Sequence, residues 1–231
     1  MIVGEQKPLN EIVAMLDGHH RILISGCRSC VAICLAGGEK EVGVLAESLR
    51  LHSALKGKGW EVRENTVERQ CEKEWVRELS PLVKETDVVL SIACGVGAQT
   101  IQSLYPDTRV LPGLNTSNMG APDEPGVFKE KCGGCGDCVL HLTGGICPIV
   151  RCAKSLLNGP CGGSQNGKCE IGNDTPCAWE EIYQSLKRLG RLDLIERNIP
   201  PKNWIPSRSG GPRRIIRPEA VLTKEQKEAK E

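Results

Sequence analysis

The chain has 231 residues, 39% of them hydrophobic, so it is long enough to bury the core of one full domain and a smaller one. Thirty basic residues against 29 acidic ones give a net charge of +1, and 3% of the residues are aromatic. This composition excludes a global electrostatic or stacking surface for nucleic acid. We find neither a secretory signal pattern nor a run of about 18 apolar residues, and therefore expect a cytoplasmic protein without a membrane span.

Thirteen cysteines are the most informative feature of the composition. In a reducing compartment such a density rarely means disulfides, and the short CxxC spacings favour metal chelation over cross-links. We therefore expect most of these cysteines to be metal or cluster ligands.

The first half of the chain alternates short β-rich runs with longer helical patterns, which is typical of a parallel α/β sheet. A lead-in helix, PLNEIVAMLDG, comes first, and the later runs are RILISG, EKEVGVLAESLRLHSALKGKG, WEVRENTV, EKEWVRELSPLVKE, DVVLSIAC, GAQTIQSLY and TRVLPGLN. In the first long helix, Val42, Leu45, Leu49 and Leu55 form an apolar stripe that should pack on the sheet. Four strands with right-handed crossovers predict a small Rossmann- or flavodoxin-like domain over residues 1–120.

The second half has a different character. The turn-rich run NTSNMGAPDEPG is interpreted as a linker, and the following segment to Cys177 carries eight cysteines and repeated glycines. Such a segment should lack an apolar core and be organised by metal. We predict an irregular cysteine-rich domain over residues 121–199, which ends with the amphipathic helix WEEIYQSLKRLG, and an extended arm over residues 200–231.

The first cysteine group is Cys27, Cys30 and Cys34, directly after the first parallel strand. Cys71 and Cys94 each follow a later strand, and loops at the carboxyl edge of an open α/β sheet converge on one crevice. Three close cysteines plus a remote one match the ligand set of a four-iron cluster. We favour Cys94 over Cys71 as the fourth ligand, because the turn ACGVGAQ offers backbone amides and a helix N-terminus.

Zinc is an alternative at this first site, although structural zinc sites usually combine two separated CxxC pairs. The order of the cysteine gaps differs from that of enzymes that cleave S-adenosylmethionine. Gly95 and Gly97 form a GxG that is predicted to contact a cofactor, but the third glycine of a dinucleotide fingerprint is not evident.

The second cysteine group begins with CGGCGDC, the CxxCxxC spacing of bacterial ferredoxins, and continues to a Cys-Pro dipeptide at a longer gap. Its members could hold two four-iron clusters, one cluster and one zinc, or one site with spare thiols. The predicted ligands are Cys132, Cys135, Cys138, Cys147, Cys152, Cys161, Cys169 and Cys177.

Two strings carry a family resemblance: GCRSCVAICLAGGEKEVGVLAE and KCGGCGDCVLHLTGGICPIVRCAKSLLNGPCGGSQNGKCE. They resemble the MetV-type cysteine-rich small subunit of the methylenetetrahydrofolate reductases of acetogenic and related anaerobic bacteria. The same module forms a carboxy-terminal extension in some reductases of that family. The resemblance extends to about Trp204.

The resemblance implies a non-catalytic, electron-transferring subunit of an oxidoreductase complex in one-carbon metabolism, as in the Wood–Ljungdahl pathway. In that family a TIM-barrel subunit carries flavin and reduces the folate. The small subunit, with two or three [4Fe–4S] clusters or a zinc in place of one, connects that flavin to ferredoxin or to a larger electron-bifurcating complex. This chain shows no flavin signature and no catalytic acid–base pair of its own.

Two other classes of function remain as alternatives. An iron–sulfur redox sensor would need a DNA-binding element, and no recognition helix or basic face is visible. A zinc-dependent protein that handles methyl groups or corrinoids would bind zinc alone. For the electron-transfer reading, the helix from Trp179 to Leu189 and the arm around Trp204 are the candidate surfaces for a heterodimer with the flavin subunit.

Overall fold

The structure, a computed structural model, describes residues 1–172, 174–222 and 226. It divides the chain into two compact units, Met1–Lys131 and Cys132–Glu231. The boundary predicted from the sequence lies near residue 120. The boundary in the structure lies later, because residues 114–124 and 127–131 form paired strands of the first unit.

The first unit contains a parallel sheet, an antiparallel sheet and the helices that connect their strands. In chain order its elements are β1 Ile2–Gln6, α1 Leu9–Met15, β2 Arg21–Cys27, α2 Cys30–Ile33, α3 Glu39–Lys56, β3 Glu61–Val67, α4 Lys73–Arg77, α5 Ser80–Val83, β4 Val88–Ser91, α6 Gly95–Leu104, β5 Arg109–Pro112, β6 Leu114–Glu124 and β7 Val127–Cys132.

The parallel sheet has the strand order β3-β2-β4-β5, with every neighbouring pair parallel. Numbered along the chain, this order is 2-1-3-4, the order of flavodoxin-like doubly wound sheets. The four predicted strands and the lead-in helix are confirmed. β2 and β4 lie side by side at the centre of the sheet. From β2 the chain continues to β3 at one edge, and from β4 it continues to β5 at the other edge.

Helices cover both faces of this sheet. On one face α1 and α3 pack against β2 and β4, with Ile12, Leu45 and Leu49 among the fully or nearly fully buried side chains. On the other face α4, α5 and α6 supply a second apolar cluster that includes Val76 and Ile101. Both sides of the central strands are therefore sealed from water, as a parallel sheet requires.

The predicted stripe on α3 is correct for Val42, Leu45 and Leu49, which are buried, and wrong for Leu55, which is 75% exposed. At about 100° per residue, Leu55 lies roughly 240° around the helix from Leu49, whereas Ser53 continues the buried face. The helix prediction over 72–85 also differs in detail, because the segment breaks into α4 and α5, with a proline in the first turn of α5.

The antiparallel sheet, of order β1-β6-β7, was not predicted. The run NTSNMGAPDEPG, interpreted as a linker, lies largely in β6. The strand propensity of this run is poor, but β6 is stabilised by pairing with β1 on one side and with β7 on the other. Gly120 allows the backbone of β6 to lie close to that of β7, since a Cβ at this position would be 2.2 Å from the Lys129 carbonyl oxygen.

The second unit is mostly irregular. Its helices are α7 Pro148–Arg151 and α8 Ala178–Arg188, and its 3-10 turns are Leu140–Leu142, Leu192–Leu194, Arg208–Gly210 and Pro218–Ala220. A small apolar cluster joins Trp179, Ile182 and Leu186 of α8 to Leu142 and Ile146 of the cysteine-rich segment. The expectation that this segment contributes no apolar core is therefore wrong.

The same cluster corrects the expected role of α8. Trp179 is 6% exposed, and its indole nitrogen donates to the Leu156 carbonyl oxygen at 3.0 Å. Because its apolar side faces into the second unit, the helix covers the cysteine segment and does not offer that side to a partner. Within the described residues, no helix is long and apolar enough to cross a membrane.

Candidate metal centres

The carboxyl edge of the parallel sheet brings together the cysteines of the first unit. Cys27 is the last residue of β2, and Cys94 caps the N-terminus of α6 just after β4. Since these two strands are neighbours whose connections diverge, a crevice opens between their ends. The strand order therefore places Cys27 and Cys94 at the same edge of the sheet, as predicted.

The loop with the first three cysteines folds back over the end of β4. The Cys27 amide donates to the Gly37 carbonyl oxygen at 3.0 Å, and the Gly37 amide donates to the Val31 carbonyl oxygen at 3.1 Å. Gly37 also lies directly against Ile92, where a Cβ would come within 1.7 Å of the carbonyl oxygen. This close backbone approach fixes where Cys30 and Cys34 can lie.

We expect Gly37→Ala to destabilise the first unit by about 3 kcal/mol, because the clash is with backbone that no side-chain movement relieves. Gly43→Ala in α3 is the matched control: its Cβ would meet only the Glu64 carboxylate at 3.7 Å, and alanine improves a helix interior by roughly 0.5–1 kcal/mol. Urea unfolding of both variants measures the difference. Equal midpoints for the two would contradict the prediction.

The antiparallel sheet holds two of the cysteine turns together. The Cys34 thiol donates to the Gly4 carbonyl oxygen at 3.7 Å, and the Gly95 amide donates to the Thr116 hydroxyl at 2.9 Å. Gly4 and Thr116 are direct partners across β1 and β6. Cys34 and the turn that contains Cys94 are therefore fastened to one cross-strand pair.

Gln70 fastens the loop after β3 to the same edge. Its side chain is fully buried, donates to the Ser25 and Gly26 carbonyl oxygens at 2.8 and 2.9 Å, and accepts a hydrogen bond from the Ser91 hydroxyl at 2.7 Å. These bonds connect the end of β2, the end of β4 and the residue before Cys71. A buried, satisfied amide of this kind specifies one loop position.

Cys71 consequently lies near two other thiols. Desolvation by its surroundings, although the residue as a whole is exposed, and then the nearby Cys27 and Cys94 raise the pKa of the Cys71 thiol. The Cys27 thiol, in turn, approaches the Glu68 carbonyl oxygen of the same loop at 3.8 Å. The structure thus brings five cysteines to one edge, and both candidates for the fourth ligand are among them.

Gly95 and Gly97 have structural contacts in this arrangement. Gly95 binds Thr116 through its amide, and a Cβ on Gly97 would lie 2.7 Å from the Gln70 Cβ. The second contact explains why a glycine is needed in the first turn of α6. Contact of either glycine with a cofactor stays a prediction.

We describe the cysteines of the second unit as two sets along the chain, although Cys147 and Cys152 cap opposite ends of the same short helix, and their pairing as ligands stays a prediction. The first set surrounds CGGCGDC, where the Gly134 amide points at the Cys132 sulfur at 3.4 Å. Gly133 lies against Val150 of α7, and Cys147 caps that helix. Cys147 is therefore placed beside the CxxCxxC loop. The set consists of Cys132, Cys135, Cys138 and Cys147.

The second set is connected by a hairpin and by α8. The Cys169 amide donates to the Thr175 carbonyl oxygen at 2.8 Å, the Cys177 amide donates to the Gly167 carbonyl oxygen at 2.9 Å, and Cys177 shares the apolar cluster with Cys152. This set consists of Cys152, Cys161, Cys169 and Cys177.

Cys161 joins the second set through Glu170, which pairs with Lys154 and lies close to Gly163. The neighbouring Glu170, followed by Cys161, raises the pKa of Lys154. The Gly163 amide points at the Cys161 sulfur at 3.5 Å, repeating the arrangement at Cys132, since both cysteines begin a CGG triplet. Amides directed at sulfur are a common support for bound thiolates.

Among the residues that the structure describes, no three cysteine, histidine or acidic side chains are grouped closely enough to hold a single metal ion. A four-iron cluster distributes its thiolates over different iron atoms, so its ligands lie farther apart than those of one zinc ion.

The arm after residue 200 returns onto the CGGCGDC loop. Arg213 donates to the Gly134 carbonyl oxygen at 2.6 Å, and Gly136 lies so close to Pro206 that a Cβ would be 2.6 Å from the proline carbonyl oxygen. Lys202 pairs with Asp137 at 3.3 Å. We call residues 202–213 the strap, because they contact each spacer between the first three cysteines of this set.

Sequence reasoning missed Gln70, Gly37 and Lys202. Gln70 precedes a candidate ligand, and a buried amide beside it could have been suspected from that position alone. Neither the clash at Gly37 nor the return of Lys202 leaves a local sequence signal, because each depends on a contact with a distant residue.

Residues 111–205 match the model of the family described as "Methylene-tetrahydrofolate reductase C terminal". The match covers less than half of the chain, and it includes the eight cysteines of the second unit but not those of the first. It confirms the family resemblance and links this segment to methylenetetrahydrofolate reductases. No curated protein and no solved structure matches the chain.

Proposed function

We propose that this chain, whose residues 111–205 belong to the methylene-tetrahydrofolate reductase C-terminal family, is the iron–sulfur electron-transfer subunit of a 5,10-methylenetetrahydrofolate reductase. In this role it relays electrons from ferredoxin, or from a larger electron-bifurcating complex, to the flavin of a TIM-barrel catalytic subunit. The observation that carries the proposal is the convergence of cysteines from separate elements in both units.

In the first unit we propose Cys27, Cys30, Cys34 and Cys94 as ligands of a [4Fe–4S] cluster, with Cys71 as the competing fourth ligand. A bound cluster accepts and releases one electron at a time. The free thiols fit such a group chemically, since separate elements direct them to one edge of the sheet and cysteine sulfurs are the ligands of iron–sulfur clusters. The positive end of the α6 dipole at Cys94 favours an anionic group at this edge.

In the second unit we propose one site for each set of four cysteines. We propose a [4Fe–4S] cluster at the ferredoxin-like CGGCGDC set and a second such cluster at the set around Cys161. A zinc ion in place of the second cluster would require its ligands to come closer together than they are in the described part of the chain. The amides of Gly134 and Gly163 support bound sulfur in each set. The chain would thus hold two or three clusters.

The partner in this proposal is the flavin subunit, bound in part by the exposed apolar residues of the strap. Trp204 is 43% and Ile205 78% exposed, although the neighbouring Pro206 and Ser207 are partly or fully buried. Exposed apolar side chains on an otherwise anchored segment are a feature of protein interfaces. A chain that only relays electrons needs such a contact to reach its acceptor.

The test is flavin reduction in the catalytic subunit by a reduced viologen dye or ferredoxin, followed anaerobically by absorbance. We expect rapid reduction only when this chain is present with its metal. Ile205→Ser should weaken the heterodimer and slow the reduction, while its iron content stays unchanged. Val44→Ser, at another exposed apolar position, on α3, is the control.

Two results would refute the proposal. If the catalytic subunit accepts electrons equally fast without this chain, the relay role is wrong. If the purified chain is colourless and contains zinc alone, the zinc-dependent class of function replaces it.

A further inference from the structure

Lys202 is a buried cation with incomplete compensation. Its side chain is 1% exposed, and within the described part of the chain its ammonium makes no hydrogen bond. Lysine is almost never buried to this degree unless it is paired, because its charge and its three donors are costly to remove from water.

Among the described residues, the groups around Lys202 do not supply hydrogen-bond acceptors for its ammonium. The Asp137 carboxylate lies 3.3 Å away without hydrogen-bond geometry, and it is itself 44% exposed. The Trp204 ring lies 5.7 Å from the ammonium, at the outer range of a cation–π contact. The two formal charges cancel, but the carboxylate is exposed to water, which screens it, whereas the ammonium is buried beside the CGGCGDC loop and is screened less.

The strap keeps this charge in place. Arg213 and Pro206 hold the strap against the spacers Gly134 and Gly136, which limits the movement of the segment that carries Lys202. Arg213 adds a second cation on the same loop, although its guanidinium is committed to carbonyl oxygens of Gly134 and Pro206. Two cations thus face a loop with three cysteines.

We infer that Lys202 is the charge-compensating residue of the group bound by the CGGCGDC loop, and that it raises the reduction potential of that group. This inference rests on the proposed function, which assigns an iron–sulfur cluster to these cysteines. The physical reason is that reduction adds one negative charge to an already anionic cluster, and a fixed cation nearby stabilises the reduced form more than the oxidised one.

The experiment is a potentiometric titration of the full-length, anaerobically purified chain, followed by electron paramagnetic resonance. The signal of this cluster is identified as the one that disappears in Cys135→Ser. Lys202→Met should change the ratio of reduced to oxidised cluster about tenfold at a given potential, a downward shift of about 59 mV for a one-electron couple. Lys202→Arg should retain most of the original potential, and Lys187→Met, at an exposed lysine of α8, is the matched control.

Asp137→Asn separates electrostatics from structure. Asp137→Asn removes an anion beside the loop and should raise the potential, whereas Lys202→Met removes a cation and should lower it. An ion pair that acts only by holding the loop in place would shift the potential in the same direction in both variants. Lys202→Gln, which also removes the charge but keeps a polar side chain, keeps the inference testable if Lys202→Met fails to fold.

The outcomes separate the inference from the proposed function. Opposite shifts support the inference. An intact cluster signal whose potential is the same in all variants overturns it and leaves the electron-transfer role standing. A wild-type chain without iron at Cys135 overturns both.

Discussion

Cys94→Ser is expected to reduce the iron content of the chain by about one cluster, four iron atoms, if Cys94 completes the site with Cys27, Cys30 and Cys34. Serine is a good N-cap residue, so α6 should keep its start, and the loss should not arise from unfolding. Iron analysis and electron paramagnetic resonance of anaerobically purified protein measure the effect, with circular dichroism as the check on the fold.

Cys71→Ser is the matched variant, because this thiol lies near both Cys27 and Cys94. We expect it to retain its iron. The reverse outcome, an unchanged content in Cys94→Ser and a loss in Cys71→Ser, would assign the ligand role to Cys71. That result is physically reasonable, since Gln70 fixes the Cys71 loop on the same edge of the sheet.

Removal of metal is expected to open the second unit to proteases while the first unit survives. Ordering a backbone costs about 1–2 kcal/mol per residue, and the only large apolar cluster among the described residues of this unit is the one around α8. Thiolate coordination can supply about 10 kcal/mol or more per structural site. The first unit keeps an apolar cluster on each face of its parallel sheet without any metal.

Limited proteolysis after chelation under reducing conditions tests this expectation. Cleavage should concentrate in residues 133–138, 159–172 and 174–176, where the structure has neither α-helix nor extended sheet, and re-addition of iron, sulfide and zinc should restore protection. Equal resistance of both units after complete metal removal would show that the cysteine-rich segment folds without coordination.

The parallel sheet could be predicted because its signals are local. Its four strands and the helices α1, α3 and α6 are recognisable from their own periodicity and turn residues, as in α3, which ends at Gly57 in the left-handed conformation. The antiparallel sheet could not be predicted in this way. β6 has poor strand propensity, and only its two neighbours, one of them more than 100 residues earlier in the chain, make it a strand.

The candidate sites show the same division. Spacing alone makes the cysteines candidate metal ligands, and topology places Cys94 beside Cys27. The division of the last eight cysteines into two sets that we propose depends on contacts such as Gly133 with Val150 and Glu170 with Gly163, which no spacing encodes. The burial of Lys202 could not be predicted at all, because nothing in the sequence around a single lysine in a proline-rich arm indicates that its side chain is buried.

The position of the strap in the chain has a consequence for how the protein is made. Lys202 follows Cys138 by about 60 residues, so at about 5–20 residues per second a ribosome adds it roughly 3–12 seconds later. During this interval the CGGCGDC loop has emerged ahead of the segment that covers it. If the loop binds a cluster as we propose, a cluster donor has access to its cysteines before Lys202 and Arg213 are synthesised, and the strap packs against the loop only afterwards.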